Sequence, residues 1–112
     1  MDEVMNVSAS RKKNAMIVAV EGRLDSVTSG ELEAWVDETL VPPTCDVVMN
    51  FSDLDYISSA GLRVMLNISK LVNNSSYRFS MCGVQDHVKE VFEISGFDSF
   101  IPIYKSVEDS VS

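Results

Sequence analysis

Two adjacent hydroxyls and two nearby carboxylates stand together in Asp53-Leu54-Asp55-Tyr56-Ile57-Ser58-Ser59-Ala60-Gly61-Leu62-Arg63. Such a set suits either a serine nucleophile or a serine that accepts a phosphoryl group. The first chemistry needs a general base. The one histidine, His87, falls near the start of a different predicted helix, and there is no G-x-S-x-G elbow. Ser58 or Ser59 as nucleophile, with Asp53 or Asp55 as partner, is therefore left without a base, and the chain is not expected to be an enzyme. Neither GxxxxGK[ST] nor GxGxxG occurs, so no nucleotide cofactor is expected. Cys45 and Cys82 are isolated and lack CxxC spacing, which argues against a zinc site and for reduced thiols.

These groups must be held by elements that the hydrophobic pattern outlines. Val4, Met5 and Val7 open a first strand, and Ala15-Met16-Ile17-Val18-Ala19-Val20 reads as a buried second one, the two forming a hairpin across the polar stretch 8–13. Within that stretch Arg11-Lys12-Lys13 reads as a solvated turn. Gly22 breaks the pattern. From Thr28, the residues Leu32, Trp35, Val36 and Leu40 recur at helical spacing, with Thr28-Ser29-Gly30-Glu31 as a capping box or Asp25 or Ser26 as the cap, and Pro42-Pro43 ends the helix.

Val47–Phe51 reads as a central strand, followed by a polar loop over 52–58. From Ser59, Leu62, Met65, Leu66, Ser69 and Val72 mark one helical face, opposite Arg63, Asn67, Lys70 and Asn74. Residues 77–82 alternate as a half-buried strand closed by Gly83. Val84, Val88, Val91, Phe92 and Ser95 trace a third helix with Gly96 as its C-terminal cap. Pro102 restricts Phe100–Tyr104 to an edge strand, and a short helix follows from Ser106.

This order predicts one α/β domain over 1–112, a mixed, mainly parallel sheet carrying about four helices. In such sheets the loops at the carboxyl ends of parallel strands carry function, which singles out 52–59. Ser58 is the expected N-cap there. That leaves Ser59 at the first helical position, partly exposed, where a phosphate would meet unpaired N–H groups and the positive end of the helix. A serine pair before a helix is equally what an ordinary cap looks like, and Gly61 equally suits close helix–sheet packing.

Composition narrows the partner. Nine Lys+Arg against seventeen Asp+Glu give a formal charge of -8, which disfavours nucleic acid and anionic membrane surfaces. No apolar run approaches a membrane span and no leader pattern opens the sequence, so a cytoplasmic protein without membrane insertion is expected.

The stretch Asn50–Leu66, with Ser58-Ser59-Ala60-Gly61 at its centre, resembles the signature of STAS domains, specifically the bacterial anti-sigma factor antagonists. Val20-Glu21-Gly22-Arg23-Leu24-Asp25 resembles the family's glycine–x–leucine–aspartate strand end, and Val91–Phe97 its late helix. The resemblance implies a STAS-like fold. It also implies phosphorylation at Ser59 and a partner-binding loop built from Asp25, Asp53, Asp55, Ser58, Ser59, Ala60, Gly61 and Arg63. The partners it implies are a serine protein kinase that is also an anti-sigma factor, and a serine phosphatase; any ATP would belong to the kinase. Ser58 stands where the family has aspartate and Ala60 where it has a second hydroxyl, which makes Ser58 the alternative acceptor. A STAS subunit that binds constitutively, as in a lipid-transport complex, is the alternative function, with Arg63 and Lys70 on its docking face.

Overall fold

The computed structural model describes residues 5–111, so Val4 of the expected first strand lies outside the described residues. Strands β1 (Met5–Lys12) and β2 (Ala15–Leu24) form the expected hairpin, paired from Met5 opposite Gly22 to Lys12 opposite Ala15. Then come α1 (Thr28–Thr39), β3 (Asp46–Asn50), β4 (Leu54–Ile57), α2 (Ser59–Asn74), β5 (Phe79–Cys82), α3 (Asp86–Ile94), β6 (Ile103–Tyr104) and α4 (Val107–Val111). The sheet runs β1-β2-β3-β5-β6, and every pair after the hairpin is parallel.

Period-two alternation in the central strands faces both ways and both faces are covered, which is why these strands read as continuous apolar runs. Val18 and Val20 of β2, Val47 and Met49 of β3, and Phe79 and Met81 of β5 meet Leu32 and Val36 of α1, Met65, Ile68 and Val72 of α2, and Val88 and Phe92 of α3. Ala15, Ile17, Val48 and Cys82 point the other way, and Val107 and Val111 of α4 pack on them. Cys45 and Cys82 are free, buried thiols.

Several boundaries depart from the pattern-based reading. β1 continues through the expected polar loop to Lys12, because an edge strand needs only backbone partners and Ser8, Ala9 and Ser10 stay solvated. β2 does not stop at Gly22. The chain adopts φ 95° there, the register shifts between Gly22 and Arg23, and pairing resumes to Leu24. That extension meets β4, a strand inside the expected loop 52–58, with Arg23 opposite Tyr56 and Leu24 opposite Ile57. β5 is shorter than expected, and all four of its residues are buried rather than alternating. The buried stripe of α2 is Gly61, Val64, Met65, Ile68, Ser69 and Val72, with Leu62 and Leu66 half-buried at its margin.

Candidate functional site

The carboxyl ends of β2 and β4 lie side by side, tied by the Ser58 N–H donating to the Leu24 carbonyl at 2.8 Å. Asp25 leaves β2 there and Ser58 leaves β4, so the first turns of α1 and α2 start from one corner of the sheet.

Asp25 organises the first of these turns. Its Oδ1 accepts the N–H groups of Val27 and Thr28, both at 2.9 Å, and these two bonds, Thr28's first, lower its pKa below the ordinary aspartate value. The capping box expected at Thr28 does not form. The Thr28 hydroxyl instead donates to the Arg23 carbonyl at 2.7 Å and accepts the Asp25 N–H at 2.8 Å, and it is fully buried. Asp25, an alternative cap in the sequence reading, does the capping.

At α2 the expected cap is in place: Ser58, extended at ψ 176°, accepts the Gly61 N–H on its Oγ at 3.2 Å. The Ser58 hydroxyl is thus half-buried and engaged. Ser59, the first helical residue, is exposed, and its hydroxyl makes no hydrogen bond among the described residues. The N–H groups of Ser59 and Ala60 precede the first intrahelical bond, Leu62 N–H to Ser58 carbonyl at 2.9 Å, and remain available as donors. Arg63 is exposed one turn on, at the i+4 position from Ser59, where side chains on a helix surface meet.

Gly61 is buried beneath this turn. A Cβ there would stand 2.7 Å from Ile57 Cγ1 and 3.1 Å from Leu24 Cβ, so only glycine lets the helix start sit this close to β2 and β4. Its contribution to the site is the position of the turn above it; Ala60 beside it is half-buried.

Asp53 and Asp55 do not join this corner. β4 intervenes, and four strand residues separate Asp53 from Ser58 by about 16 Å when extended. Asp53 is exposed and its carbonyl accepts the Gly22 N–H at 2.9 Å. Asp55 faces α3 instead: His87 Nε2 lies 2.6 Å from the Asp55 carbonyl oxygen, and Gln85 Nε2 donates to the Ser52 carbonyl at 2.9 Å and to Asp55 Oδ1 at 3.4 Å. His87 is exposed as expected, but it braces this loop rather than standing beside Ser59.

Three surface residues at or near the corner went unread in the sequence. Val27 is 67% exposed, and Tyr56 is 40% exposed with the Arg23 guanidinium 4.3 Å above its ring centroid. Arg23 and Tyr56 carried no signal, because their meeting depends on the unanticipated β2–β4 register; Val27 was legible only as an apolar residue just before the helix. Among the described residues no three His, Cys, Asp or Glu side chains gather as a metal site, and no helix is long and apolar enough to cross a membrane.

Comparison with known proteins agrees with this architecture. The family model of the STAS domain matches residues 6–110. A relative from Bordetella bronchiseptica, provisionally named anti-sigma factor antagonist BtrV, is 36% identical over 104 residues, covering 93% of this chain and 90% of its own length. Among solved structures, a Thermotoga maritima protein provisionally described as an anti-sigma factor antagonist superposes with a TM-score of 0.88 at 20% identity, over 94% of this chain and 91% of that one. The anti-sigma factor antagonist SpoIIAA, solved in its unphosphorylated form, superposes with a TM-score of 0.79 at 16% identity, over 95% of this chain and 91% of that one.

Proposed function

The chain belongs to the STAS domain family, and we propose that it acts as an anti-sigma factor antagonist whose capture of a serine kinase of the anti-sigma class is ended by phosphorylation of Ser59. The observation that carries this reading is the division of labour between two neighbouring hydroxyls. Ser58 is committed to the cap, while Ser59 is exposed at the first position of a 16-residue helix with donors to spare. The relatives' names supply the partner class, and SpoIIAA, solved in both an unphosphorylated and a phosphorylated form, supplies a precedent in the same fold.

A phosphate on Ser59 brings about -1.5 to -2 charges to the positive end of α2. The N–H groups of Ser59 and Ala60, and Arg63 one turn on, are the groups that can receive it. A partner packed against the corner, over Val27 and Asp25, would have to desolvate that charge beside an ionised carboxylate. The modification therefore removes the partner without melting the helix. A serine phosphatase would restore the binding form, and the whole cycle would run in the cytoplasm, with ATP held by the kinase. Asp55, held with His87 and Gln85, and Asp53, beside Gly22, would form the edge of the footprint rather than its centre.

The test is phosphopeptide mass spectrometry on protein from its host, over the tryptic peptide Leu24–Arg63, together with copurification of the kinase by wild type, Ser59→Ala and Ser59→Glu. Phosphate on Ser59, with kinase retained by the first two and lost by the third, is expected. Full coverage with Ser58 and Ser59 always unmodified, and equal retention by all three, would leave the constitutive interaction subunit.

A further inference from the structure

At the other end of the sheet, about 30 Å from the Ser59 corner along the length of β2, the starts of β2, β3 and β5 open on a cleft of about 410 Å³. The volume lies in the range of small-molecule sites, which are largely apolar with a few converging polar groups. One wall is apolar: Ala15, Val48, Phe79, Phe100, Tyr104 and Val111 line it. Phe100, whose ring packs on Phe97 with centroids 5.3 Å apart, and Tyr104 are 48% and 40% exposed and add aromatic surface to the lining. At the strand ends the lining carries Lys13, Arg78 and Asp46.

The electrostatics there oppose those of the chain as a whole. Three of the nine basic residues, Arg11, Lys13 and Arg78, line this cleft and the hollow that adjoins it, in a protein of net charge -8. Arg11 is engaged, its Nη1 donating to Cys45 Sγ at 3.1 Å, and the neighbouring Lys12 pairs with Glu108 at 2.8 Å. Among the described residues, neither Lys13 nor Arg78 makes a side-chain ion pair or hydrogen bond. Asp46 does not pair with them; its Oδ1 accepts the Arg78 backbone N–H at 2.9 Å. The lining thus has two uncommitted cations and one carboxylate.

The backbone holds one of these cations, Lys13, in a left-handed conformation that side chains seldom adopt. Lys13 occupies the two-residue hairpin turn at φ 56°, and Ser76, two residues before Arg78, has φ 70°; these are the two non-glycine residues with positive φ among those described. Glycine is the default in such turns, so a lysine there spends stability on presenting an amine.

We infer that this cleft binds a small amphipathic monocarboxylate, its head group between Lys13 and Arg78 and its apolar body against Phe100, Tyr104 and Val111. Two cations less one carboxylate leave a single net positive charge, which suits a monoanion; a phosphate dianion would carry surplus charge against Asp46. The aromatic wall supplies what a simple anion site would lack.

Titration of the isotope-labelled full chain with sodium octanoate, followed by amide NMR, tests this. Saturable shifts are expected at Ala15, Val48, Ser80, Tyr104 and Val111, with Ser59 and Gly61 unmoved and a Kd of about 1 mM or tighter. Acetate, which lacks the body, and 1-octanol, which lacks the charge, should each bind at least about tenfold more weakly. Lys13→Gly and Arg78→Gln should each weaken octanoate about tenfold, the loss of one charge-assisted hydrogen bond. Lys13→Gly also relieves the turn, so its spectrum should stay fully dispersed and lost binding cannot be ascribed to unfolding. Absence of saturable shifts, unchanged affinity in both variants, 1-octanol binding as well as octanoate, or inorganic phosphate binding more tightly than octanoate would each overturn the inference.

Discussion

Replacing Gly61 by alanine sets two effects of known sign against each other. In a helix interior alanine is favoured over glycine by about 1 kcal/mol, so an exposed Gly61 would make the variant more stable. Here the new methyl would stand 2.7 Å from Ile57 Cγ1, 3.1 Å from Leu24 Cβ and 3.3 Å from Ile57 Cδ1. Leu24 Cβ is fixed to the backbone of β2 and Ile57 is 4% exposed, so neither can swing into solvent. Overpacking of this kind costs about 1–3 kcal/mol, which leaves Gly61→Ala destabilised by roughly 1 kcal/mol net, or about 4 °C in Tm. Urea unfolding of wild type, Gly61→Ala, Ile57→Ala and the double variant measures it. Ile57→Ala alone should cost about 2–5 kcal/mol but removes two of the three close contacts, so in that background Gly61→Ala should become neutral or stabilising. The expected coupling between the two sites is about 1–2 kcal/mol. A stabilised single variant, or the same cost in both backgrounds, would refute the claim that glycine seats α2 against the β2–β4 corner.

Three further substitutions probe the same framework. Ser29 is 2% exposed and its hydroxyl has no hydrogen-bond partner among the described residues, so Ser29→Ala should raise stability by up to about 1 kcal/mol in urea unfolding. Ser58→Ala, which deletes the α2 cap, should cost about 1 kcal/mol in the same assay. Burial, and next Glu108, push the Cys82 thiol from 9.0 up to about 11. A raised folded pKa contributes stability that is whole below the unfolded value and is lost as pH climbs through the folded one. Wild type should therefore lose more stability than Cys82→Ala between pH 9.0 and about 11, a difference read from paired urea midpoints.

What the sequence conveyed of the fold was whatever a long, regular pattern can encode. The hairpin, the order of strands and helices apart from β4, the Gly96 stop and the proline-limited edge strand are as expected, because each rests on several residues or on a backbone restriction. β4 escaped because four residues with only their ends buried show no alternation, and its partner segment lies beyond a bulge at Gly22. Missing β4 misplaced two acids. Asp53 and Asp55 are close to Ser59 along the chain, yet a strand carries them away from it, whereas Asp25, distant in sequence, is brought alongside by the parallel pairing. The assignment of Ser58 to the cap and Ser59 to the surface was legible, since capping is local chemistry. The cationic cleft was not: Lys13 and Arg78 come to line one cleft only because β2 and β5 flank β3 in register.

If the corner works by surface charge, its negative form must be as well folded as its neutral one. A glutamate at position 59 sits in the first turn of α2, where a negative charge gains about 0.3–1 kcal/mol from the helix dipole at low ionic strength. Arg63 at i+4 adds about 0.2–0.5 kcal/mol, and Asp25, across the Ser58–Leu24 hydrogen bond, subtracts through water. Ser59 caps nothing, so no hydrogen bond is lost in exchange. Ser59→Glu should thus equal or exceed wild type by up to about 1 kcal/mol in low salt, and the gain should shrink in 1 M salt, where the screening length is about 3 Å. Paired urea midpoints at the two ionic strengths give the answer. A variant less stable by 1 kcal/mol or more would mean that charge at Ser59 unseats the start of α2, and release of a partner would then follow from local unfolding rather than from desolvation at an intact surface.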